Sequence, residues 1–437
     1  MPPQPPVDLI VHRAAQLLTL AGPGPRRGAA LRDVGIIHDG AVAIQNETIV
    51  AVGSTAEIAA QYQAAQWLDA SGRVVLPGFV DPHTHAVWAG DRAHEFELRV
   101  AGATYMDIMR AGGGIASTVR TTRAASLEQL ITETRPRLDR MLAHGTTTAE
   151  VKTGYGLNLD DELKLLDAIR LLDEDHAIDL VPTYLGAHAV PPEFTGRTDD
   201  YVDFMVQEVI PEIGMLHYQV VRHLPDGSER TAYVPAARFC DVFCEEGVFD
   251  LAQSERILTA ARAAGLGLKL HVDEFAALGG TPLGVRLGAV SVDHLLSTPP
   301  EHLVLLANSA TIGVALPGTP FGLGKPHYTP ARQLIDQGGA LALATDLNPG
   351  TCWCESMQFI IALACRTMHL TPAEAICAAT LNSAYAIGLG DVVGSLQPGK
   401  QADLLVLDVD DYRHLAYRFG TNLVGTVIKK GQVLVLS

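Results

Sequence analysis

The stretch Leu76-Pro-Gly-Phe-Val-Asp-Pro-His-Thr-His85 decides the fold. Its pattern predicts a short buried strand over residues 74–80, followed by two histidines one residue apart. Side chains at positions i and i+2 of a strand point to the same face, so His83 and His85 are expected to project together. That spacing suits two imidazole ligands of one metal ion. Alone it is more often a surface pair or two core histidines, and residues further along the chain favour the metal.

The composition indicates a soluble intracellular protein. The chain has 437 residues, 48% hydrophobic and 19% charged, which predicts a well-buried core in two domains or in one large barrel with an appendage. A net charge of −17 without a basic cluster argues against nucleic acid as a partner. Six cysteines are too few for a disulfide scaffold. Without a signal peptide or an apolar run of ~20 residues, we expect a cytoplasmic protein with no membrane contact.

The middle of the chain, residues 77–394, alternates short apolar segments with segments of helical periodicity. Helical spacing recurs in 160–173, 251–264 and 372–389. Buried strands that alternate with helices favour a (β/α)₈ barrel over a doubly wound open sheet, which would need a Gly-x-Gly-x-x-Gly turn that we do not find. The eight strand candidates are 74–80, 146–151, 178–184, 239–243, 266–272, 289–292, 310–316 and 340–344.

Both ends of the chain are rich in predicted strands and turns. Short alternating segments occupy 7–12, 40–44 and 48–52 at one end and 401–408 and 425–435 at the other, with a turn at Lys430-Gly431. Neither end carries enough apolar surface to fold alone. We therefore expect residues 1–76 and 395–437 to form one composite β-sandwich domain beside the barrel.

Polar side chains recur at the carboxyl ends of the predicted strands, where barrel enzymes place their catalytic groups. Imidazoles with a carboxylate suit one divalent ion, Zn²⁺ or Fe²⁺, with positions open for water and substrate. The predicted metal ligands are His83, His85, His271 and Asp346. We expect His294 to hydrogen-bond a developing oxyanion and Glu274 to carry a proton or accept from substrate. Glu274 as a solvated loop acid is the alternative.

Longer motifs give the chain a specific resemblance. In its pattern of His-x-His, His-x-x-Glu, His and Asp it resembles the amidohydrolase superfamily, and within it the imidazolonepropionase family. The likeness runs from about residue 40 to the end. The segments that carry it are Pro82-His-Thr-His-Ala-Val-Trp-Ala-Gly-Asp-Arg-Ala-His-Glu-Phe96, Ala111-Gly-Gly-Gly-Ile115, Glu150-Val-Lys-Thr-Gly-Tyr-Gly156, Gly186-Ala-His-Ala-Val-Pro-Pro-Glu193, Lys269-Leu-His-Val-Asp-Glu274, Ala344-Thr-Asp-Leu-Asn-Pro-Gly-Thr351 and Tyr417-Arg-Phe-Gly-Thr-Asn-Leu-Val424.

The resemblance implies one divalent metal per chain on the four ligands above, and a homodimer. The substrate contacts that it implies are Arg92, Tyr155, His188, Glu274, Asn348, Gly350 and Thr351. A guanidinium suits a propionate carboxylate, although an ion pair of Arg92 with Asp91 or Glu95 is an equal alternative. Thr153 stands where serine is common in the family. The thiols of Cys352 and Cys354 follow the site at a spacing unlike a zinc knuckle, so we expect them to pack rather than ligate.

The activity implied is hydrolysis of the cyclic amide of 4-imidazolone-5-propanoate to N-formimidoyl-L-glutamate in histidine degradation, by attack of a metal-bound hydroxide. Asp346 would take the proton of the water and deliver it to the leaving nitrogen, while Glu274 and His188 hold the ring. A deaminase of the same superfamily acting on a purine or pyrimidine is the nearest alternative. A non-catalytic barrel used as a binding scaffold is the alternative of another class.

Overall fold

The computed structural model describes residues 5–103, 107, 112–223 and 229–434. Its centre is a sheet of eight parallel strands whose neighbours follow one another in chain order. These barrel strands are β1 Phe79–Asp81, β2 Thr146–Lys152, β3 Asp179–Ala187, β4 Phe239–Cys244, β5 Gly267–Val272, β6 Ser291–His294, β7 Ile312–Ala315 and β8 Leu341–Leu343. The predicted barrel fold is confirmed.

The seam between the last and the first strand closes at the carboxyl end of the barrel. The amide of Asp346 donates to the carbonyl of His83 at 3.1 Å, and the amide of His85 donates to the carbonyl of Leu347 at 2.8 Å. Buried backbone groups need such partners, and here the partners come from the two loops that carry predicted metal ligands. Closure of the barrel and assembly of the site therefore depend on the same hydrogen bonds.

Helices cover the outside of the barrel. Leu159–Asp175 begins at Asn158, whose side chain accepts a hydrogen bond from the amide of Asp161, and acidic residues occupy its first turn. Thr55–Gln61 instead packs on the strands Gly40–Gln45 and Thr48–Ser54. The remaining α-helices with described bounds are Ala93–Val100, Ile115–Ala124, Leu127–Ala143, Thr198–Phe204, Ile210–Met215, Leu251–Ala263, Gly280–Leu287, Pro300–Ala307, Gly318–Gly322, Ala331–Asp336, Met357–Thr367, Pro372–Ala378, Leu381–Ala386 and His414–Tyr417.

The strand predicted over 74–80 is wrong as a single element. Val74–Pro77 pairs with Leu404–Leu407 outside the barrel, and only Phe79–Asp81 joins β2. The break lies at Gly78, where a Cβ atom would come within 2.1 Å of the Thr147 hydroxyl. The chain passes from one sheet to the other at this residue because glycine alone permits that close approach.

Two further boundaries differ from the prediction. The helix expected over 372–389 is two helices, which break at Thr380 with φ −131° and ψ −88°. The sixth barrel strand lies two residues later than predicted, so that Asp293 and His294 belong to the strand itself. The periodic apolar pattern continues through both boundaries, and therefore it could not locate them.

The two ends of the chain form a β-sandwich, as predicted. Its four-stranded sheet comes from the amino-terminal part alone, and its six-stranded sheet joins both ends, with Leu9, Val42, Val75, Leu404 and Ile428 in the core between them. Lys430 and Gly431, with φ 49° and 76°, form the predicted turn. The sandwich strands are Pro6–Ala14, Gln16–Leu18, Ile36–Ile37, Gly40–Gln45, Thr48–Ser54, Gln63–Asp69, Val74–Pro77, Leu404–Leu407, Val424–Lys429 and Gln432–Leu434.

An antiparallel hairpin between β3 and β4 was not predicted. Its strands are His217–His223 and Glu229–Pro235. Within the described part of the chain, no helix combines the length and the apolar character needed to cross a membrane.

Candidate active site and metal centre

Three imidazoles converge at the carboxyl end of the barrel. One ring nitrogen each from His83, His85 and His271 lies within 4.8 Å of the other two. All three side chains are buried, and Nε2 of His83 and of His271 has no hydrogen-bond partner among the described residues. Oδ1 of Asp346 lies 3.6 Å from Nε2 of His83 and 3.5 Å from Nε2 of His85.

This donor set fits a divalent cation. Buried ring nitrogens without a partner are costly in a folded protein unless a ligand satisfies them. Burial lowers the pKa of His83 and of His85 well below its ordinary value, so both rings are neutral and keep a lone pair for a metal. Three imidazoles and one carboxylate form a set typical of Zn²⁺ or Fe²⁺.

The other ring nitrogen of two of these histidines contacts a buried carboxylate. Nδ1 of His83 lies 2.6 Å from Oδ2 of Asp293, and Nδ1 of His271 lies 3.0 Å from Oδ1 of Asp241. A carboxylate at Nδ1 accepts the ring proton there, which leaves Nε2 as the free lone pair. Each of these aspartates therefore fixes both the tautomer and the direction of a predicted ligand.

Asp346 is held by the loop that follows β8. Its backbone is in the left-handed region, with φ 56°, and the Thr319 hydroxyl donates to its Oδ2. Beneath it, the Asp81 carboxylate accepts from the amide and the hydroxyl of Thr345, at 3.1 and 2.5 Å. Burial raises the pKa of Asp346 to about 6. A carboxyl with this pKa can take up and release a proton near neutral pH.

His294 and Glu274 lie on the other side of the imidazole cluster. The His294 ring centroid lies 5.2 Å from that of His271, and its Nδ1 lies 3.8 Å from Oε2 of Glu274. Neither ring nitrogen of His294 has a partner among the described residues. Its φ of 79° is rare for a residue with a side chain, and the Thr329 hydroxyl donates to its carbonyl at 2.5 Å.

Glu274 is buried and is positioned by a second acid. The Glu245 carboxylate accepts from the amides of Glu274, Phe275 and Ala276, at 3.1, 2.9 and 3.1 Å. Burial, followed by the Asp346 carboxylate, raises the pKa of Glu274 to about 8. The carboxyl therefore carries a proton at neutral pH, which contradicts the alternative of a solvated loop acid.

Tyr155 and His188 form an aromatic wall beside His85. The His188 ring stacks on the His85 ring at 4.9 Å and 15°, and the Tyr155 ring lies 5.4 Å from the His188 ring. Nδ1 of His188 contacts the carbonyl of Gly154 at 3.0 Å. The Glu162 carboxylate accepts from three amides of this glycine-flanked loop, those of Gly154, Gly156 and Leu157.

Arg92 lies at the edge of the site and forms the ion pair that the sequence left as an alternative. Its guanidinium contacts the buried Glu95 carboxylate at 2.7 Å. It also packs against Gly350, where a Cβ atom would come within 2.2 Å of Nη1. The ion pair orients the guanidinium and leaves it able to bind a ligand, because Glu95 contacts only the edge formed by Nε and Nη2.

The loop after Asp346 uses its own polar groups. Oδ1 of Asn348 accepts from the amides of Gly350 and Thr351, both at 2.8 Å, and its Nδ2 donates to the Asp346 carbonyl at 2.7 Å. The predicted contact of Asn348 with substrate would therefore compete with these bonds. Cys352 donates to the Thr345 carbonyl at 3.1 Å, and all six cysteines are free thiols.

The charged residues under the imidazoles were not among the predicted site residues. Asp293 and Asp241 contact the His83 and His271 rings, and Glu150, Lys152 and Lys269 are wholly buried beside them. Their signal was a charged residue at alternate positions within otherwise apolar strands, as in Glu150-x-Lys152 and Lys269-x-His271. Such alternation marks the inward face of a barrel strand.

Comparisons with known proteins agree with this geometry. Residues 252–434 match the model described as "Amidohydrolase family", and residues 40–62 match the "Imidazolonepropionase-like composite domain, bacteria". The chain is 54% identical over 431 residues to the imidazolonepropionase of Herpetosiphon aurantiacus, with 98% of each protein covered. It is 53% identical over 431 residues to that of Chloroflexus aggregans, with 98% of this chain and 99% of the relative covered.

Solved structures share the fold at low identity. An adenosine deaminase from Xanthomonas campestris with bound zinc superposes with a TM-score of 0.71 and 20% identity, covering 99% of this chain and 94% of that one. A 5-methylcytosine deaminase from Klebsiella pneumoniae superposes with a TM-score of 0.70 and 17% identity, covering 98% and 97%. At this identity the likeness concerns the fold alone.

Proposed function

The chain belongs to the imidazolonepropionase family, and from this membership we propose that it hydrolyses 4-imidazolone-5-propanoate to N-formimidoyl-L-glutamate in histidine degradation. The observation that carries the proposal is the convergence of three buried imidazoles beside Asp346 at the carboxyl end of the barrel. A cyclic amide needs an activated water and a stabilised carbonyl oxygen, and such a centre supplies both.

His83, His85, His271 and Asp346 would hold one divalent ion, Zn²⁺ or Fe²⁺. A cation bound there polarises the substrate carbonyl and acidifies a water molecule. Asp346 accepts the proton of the attacking water on its carboxylate and returns it to the ring nitrogen that leaves. Its position 3.6 Å from Nε2 of His83 and 3.5 Å from Nε2 of His85 supports this role, because a water held at the same centre would lie beside the carboxylate.

His294 and Glu274 act on the opposite side of the substrate. The ring of His294 has nitrogen atoms without partners, so one of them can donate to the carbonyl oxygen as negative charge develops. Glu274 holds a proton at neutral pH and binds the imidazolone ring together with His188. Tyr155 forms the aromatic side of that pocket.

The remaining contacts recognise the ends of substrate and product. Arg92 binds the propionate carboxylate with the guanidinium edge that Glu95 does not use. The amides of Gly350 and Thr351 and the side chain of Asn348 bind the product's polar groups. Since the Asn348 side chain already bonds to its own loop, its contribution requires a rearrangement there.

We further propose a cytoplasmic homodimer in which residues 77–394 form the catalytic domain and residues 1–76 with 395–437 form the composite domain. The family membership supports this organisation. Analytical ultracentrifugation would give twice the 46.5 kDa mass of the chain for a dimer, and the chain mass itself would contradict it.

The activity is tested with 4-imidazolone-5-propanoate prepared freshly from urocanate. We expect enzyme-dependent loss of its ultraviolet absorbance above spontaneous decay, with formimidoylglutamate identified by mass spectrometry. A protein that does not act on 4-imidazolone-5-propanoate but releases ammonia from purines or pyrimidines would contradict the proposal and favour a deaminase. Lys429→Met serves as a control, since Lys429 lies in the sandwich and leaves the site unchanged.

A further inference from the structure

Five charged side chains form a closed cluster beneath the imidazoles. Glu150, Lys152, Asp241, Lys269 and Asp293 are each 0% exposed. They come from strands β2, β4, β5 and β6, and they face the barrel interior. Charges so deeply buried are tolerated only when paired. The cluster is therefore a built feature of the barrel, and its members can be compared by what each one touches.

Lys152 is the member that reaches both histidine-bound carboxylates. Its Nζ lies 2.7 Å from Oδ2 of Asp241 and 3.8 Å from Oδ2 of Asp293. It also donates to Glu150 at 2.9 Å. Asp241 uses its other oxygen for Nδ1 of His271, whereas Asp293 presents the same Oδ2 to Nδ1 of His83. One ammonium group thus connects two imidazoles that arise from different strands.

Lys269 provides an internal comparison. It is buried to the same extent and contacts Glu150 at 2.9 Å, but its other partners are the carbonyls of Pro82 and Ala386. Among the described residues it forms no salt bridge with Asp241 or Asp293. The two lysines therefore share burial and one acidic partner. They differ in direct contact, since Lys152 lies within 4 Å of both histidine-bound carboxylates, whereas Lys269 acts on Asp293 through its charge alone.

We propose that Lys152 is a positioning residue that orients the His83 and His271 imidazoles together through Asp293 and Asp241. Without its charge, the buried carboxylates of Asp241 on β4 and Asp293 on β6 lose the cation that lies between them and repel each other, which disturbs the alignment of both Nδ1 bonds. Each ring then turns away from the shared point at which the Nε2 atoms meet. The effect on metal rests on the proposed function, whereas the effect on the rings exists in the metal-free protein as well.

The test compares Lys152→Met with Lys269→Met, each alone and in a Glu150→Gln background that removes the shared acidic partner. The metal dissociation constant is measured for Zn²⁺ by competition with a chromophoric chelator. We expect Lys152→Met to weaken binding ~10–100-fold, as is usual when a partner behind a ligand is lost. Lys269→Met lowers the melting temperature and weakens Zn²⁺ binding less than Lys152→Met does, because Lys269 acts on Asp293 without contacting it.

A second readout uses the metal-free protein. In imidazole ¹⁵N–¹H spectra, the Nδ1 protons of His83 and His271, assigned with single His→Gln variants, are expected to shift or exchange together in Lys152→Met and to persist in Lys269→Met. Unchanged Nδ1 signals in Lys152→Met, or equal losses of Zn²⁺ affinity in both lysine variants, would overturn the inference. If the unmodified protein bound no Zn²⁺, the proposed function would fail, while these signals would still decide the role of Lys152.

Discussion

Two buried lysines in this molecule each bridge a pair of aspartates, at opposite ends of the barrel. Lys429 lies 2.6 Å from Asp179 and 2.7 Å from Asp403, where the sandwich meets the amino end of β3. Lys152 lies near the carboxyl ends of the strands with Asp241 and Asp293. In each cluster, a buried lysine contacts two aspartates.

They differ in what the aspartates do next. Asp403 accepts from Gln401 and from the amide of Lys430, and Asp179 also binds Lys430, so the lower cluster closes on itself. The upper aspartates contact imidazoles whose far nitrogens have no partner among the described residues. A buried ion pair by itself indicates structure, and buried polar atoms without partners beside it indicate a ligand.

The largest effect on activity is expected from His271→Ala, which alters the cluster beside the imidazoles and leaves the Lys429 cluster intact. Loss of one ligand should lower kcat/KM by at least ~10³-fold, because a bound cation contributes several kcal/mol to the transition state. Bound metal per chain should fall in parallel, as measured by plasma emission spectrometry. A variant that kept both metal and activity would remove His271 from the centre.

Lys429→Met should disrupt the lower cluster, that of Lys429 with Asp179 and Asp403. It should leave the upper cluster around Lys152 unchanged. We expect a loss of ~3 kcal/mol in the free energy of unfolding, since two acids lose their buried partner. Urea denaturation followed by circular dichroism measures this loss. The kcat/KM of the folded fraction should stay unchanged, and a large decrease would show that the two clusters are coupled.

His294→Ala sharpens the assignment within the upper region. If the ring donates one hydrogen bond to the developing oxyanion, kcat should fall ~10²–10³-fold with little change in KM. Metal content should remain that of the unmodified protein, because His294 lies outside the cluster of His83, His85 and His271 that could hold the ion. Steady-state kinetics with metal analysis distinguishes this result from the loss of a ligand.

Arg92→Ala tests the outer edge of the site. An anchor for the propionate should raise KM far more than it lowers kcat. Glu95→Gln is the matched variant, because it releases the guanidinium from its 2.7 Å ion pair without removing it. A fall in kcat at unchanged KM in Arg92→Ala would assign Arg92 to the chemical step instead.

Glu274→Gln tests the pH dependence of stability. A carboxyl whose pKa rises from 4.5 to about 8 on folding contributes stability that is present below pH 4.5 and is lost as the pH rises through 8. The metal-free variant should lack that loss and exceed the unmodified protein by more than ~1 kcal/mol at pH 9. An equal difference in the free energy of unfolding between the variant and the unmodified protein at pH 5 and at pH 9 would contradict the raised pKa.

The barrel and the candidate metal ligands could be predicted from the sequence because both have local signals. His83 and His85 follow a strand at a spacing of two, and short apolar segments repeat eight times. The break at Gly78 could not be predicted from the sequence, since its cause is the Thr147 hydroxyl, which belongs to another strand. Nor could the sequence pattern pair Lys152 with Asp241, which lies 89 positions away and meets it only in the closed barrel.

The most direct measurement is a titration of the metal-stripped protein with Zn²⁺ or Fe²⁺ while the loss of 4-imidazolone-5-propanoate is followed. The account predicts that the rate rises from the spontaneous background in proportion to added metal and stops rising at one equivalent per chain. Full activity in the metal-stripped protein, or no activity at any equivalence of either metal, would contradict it.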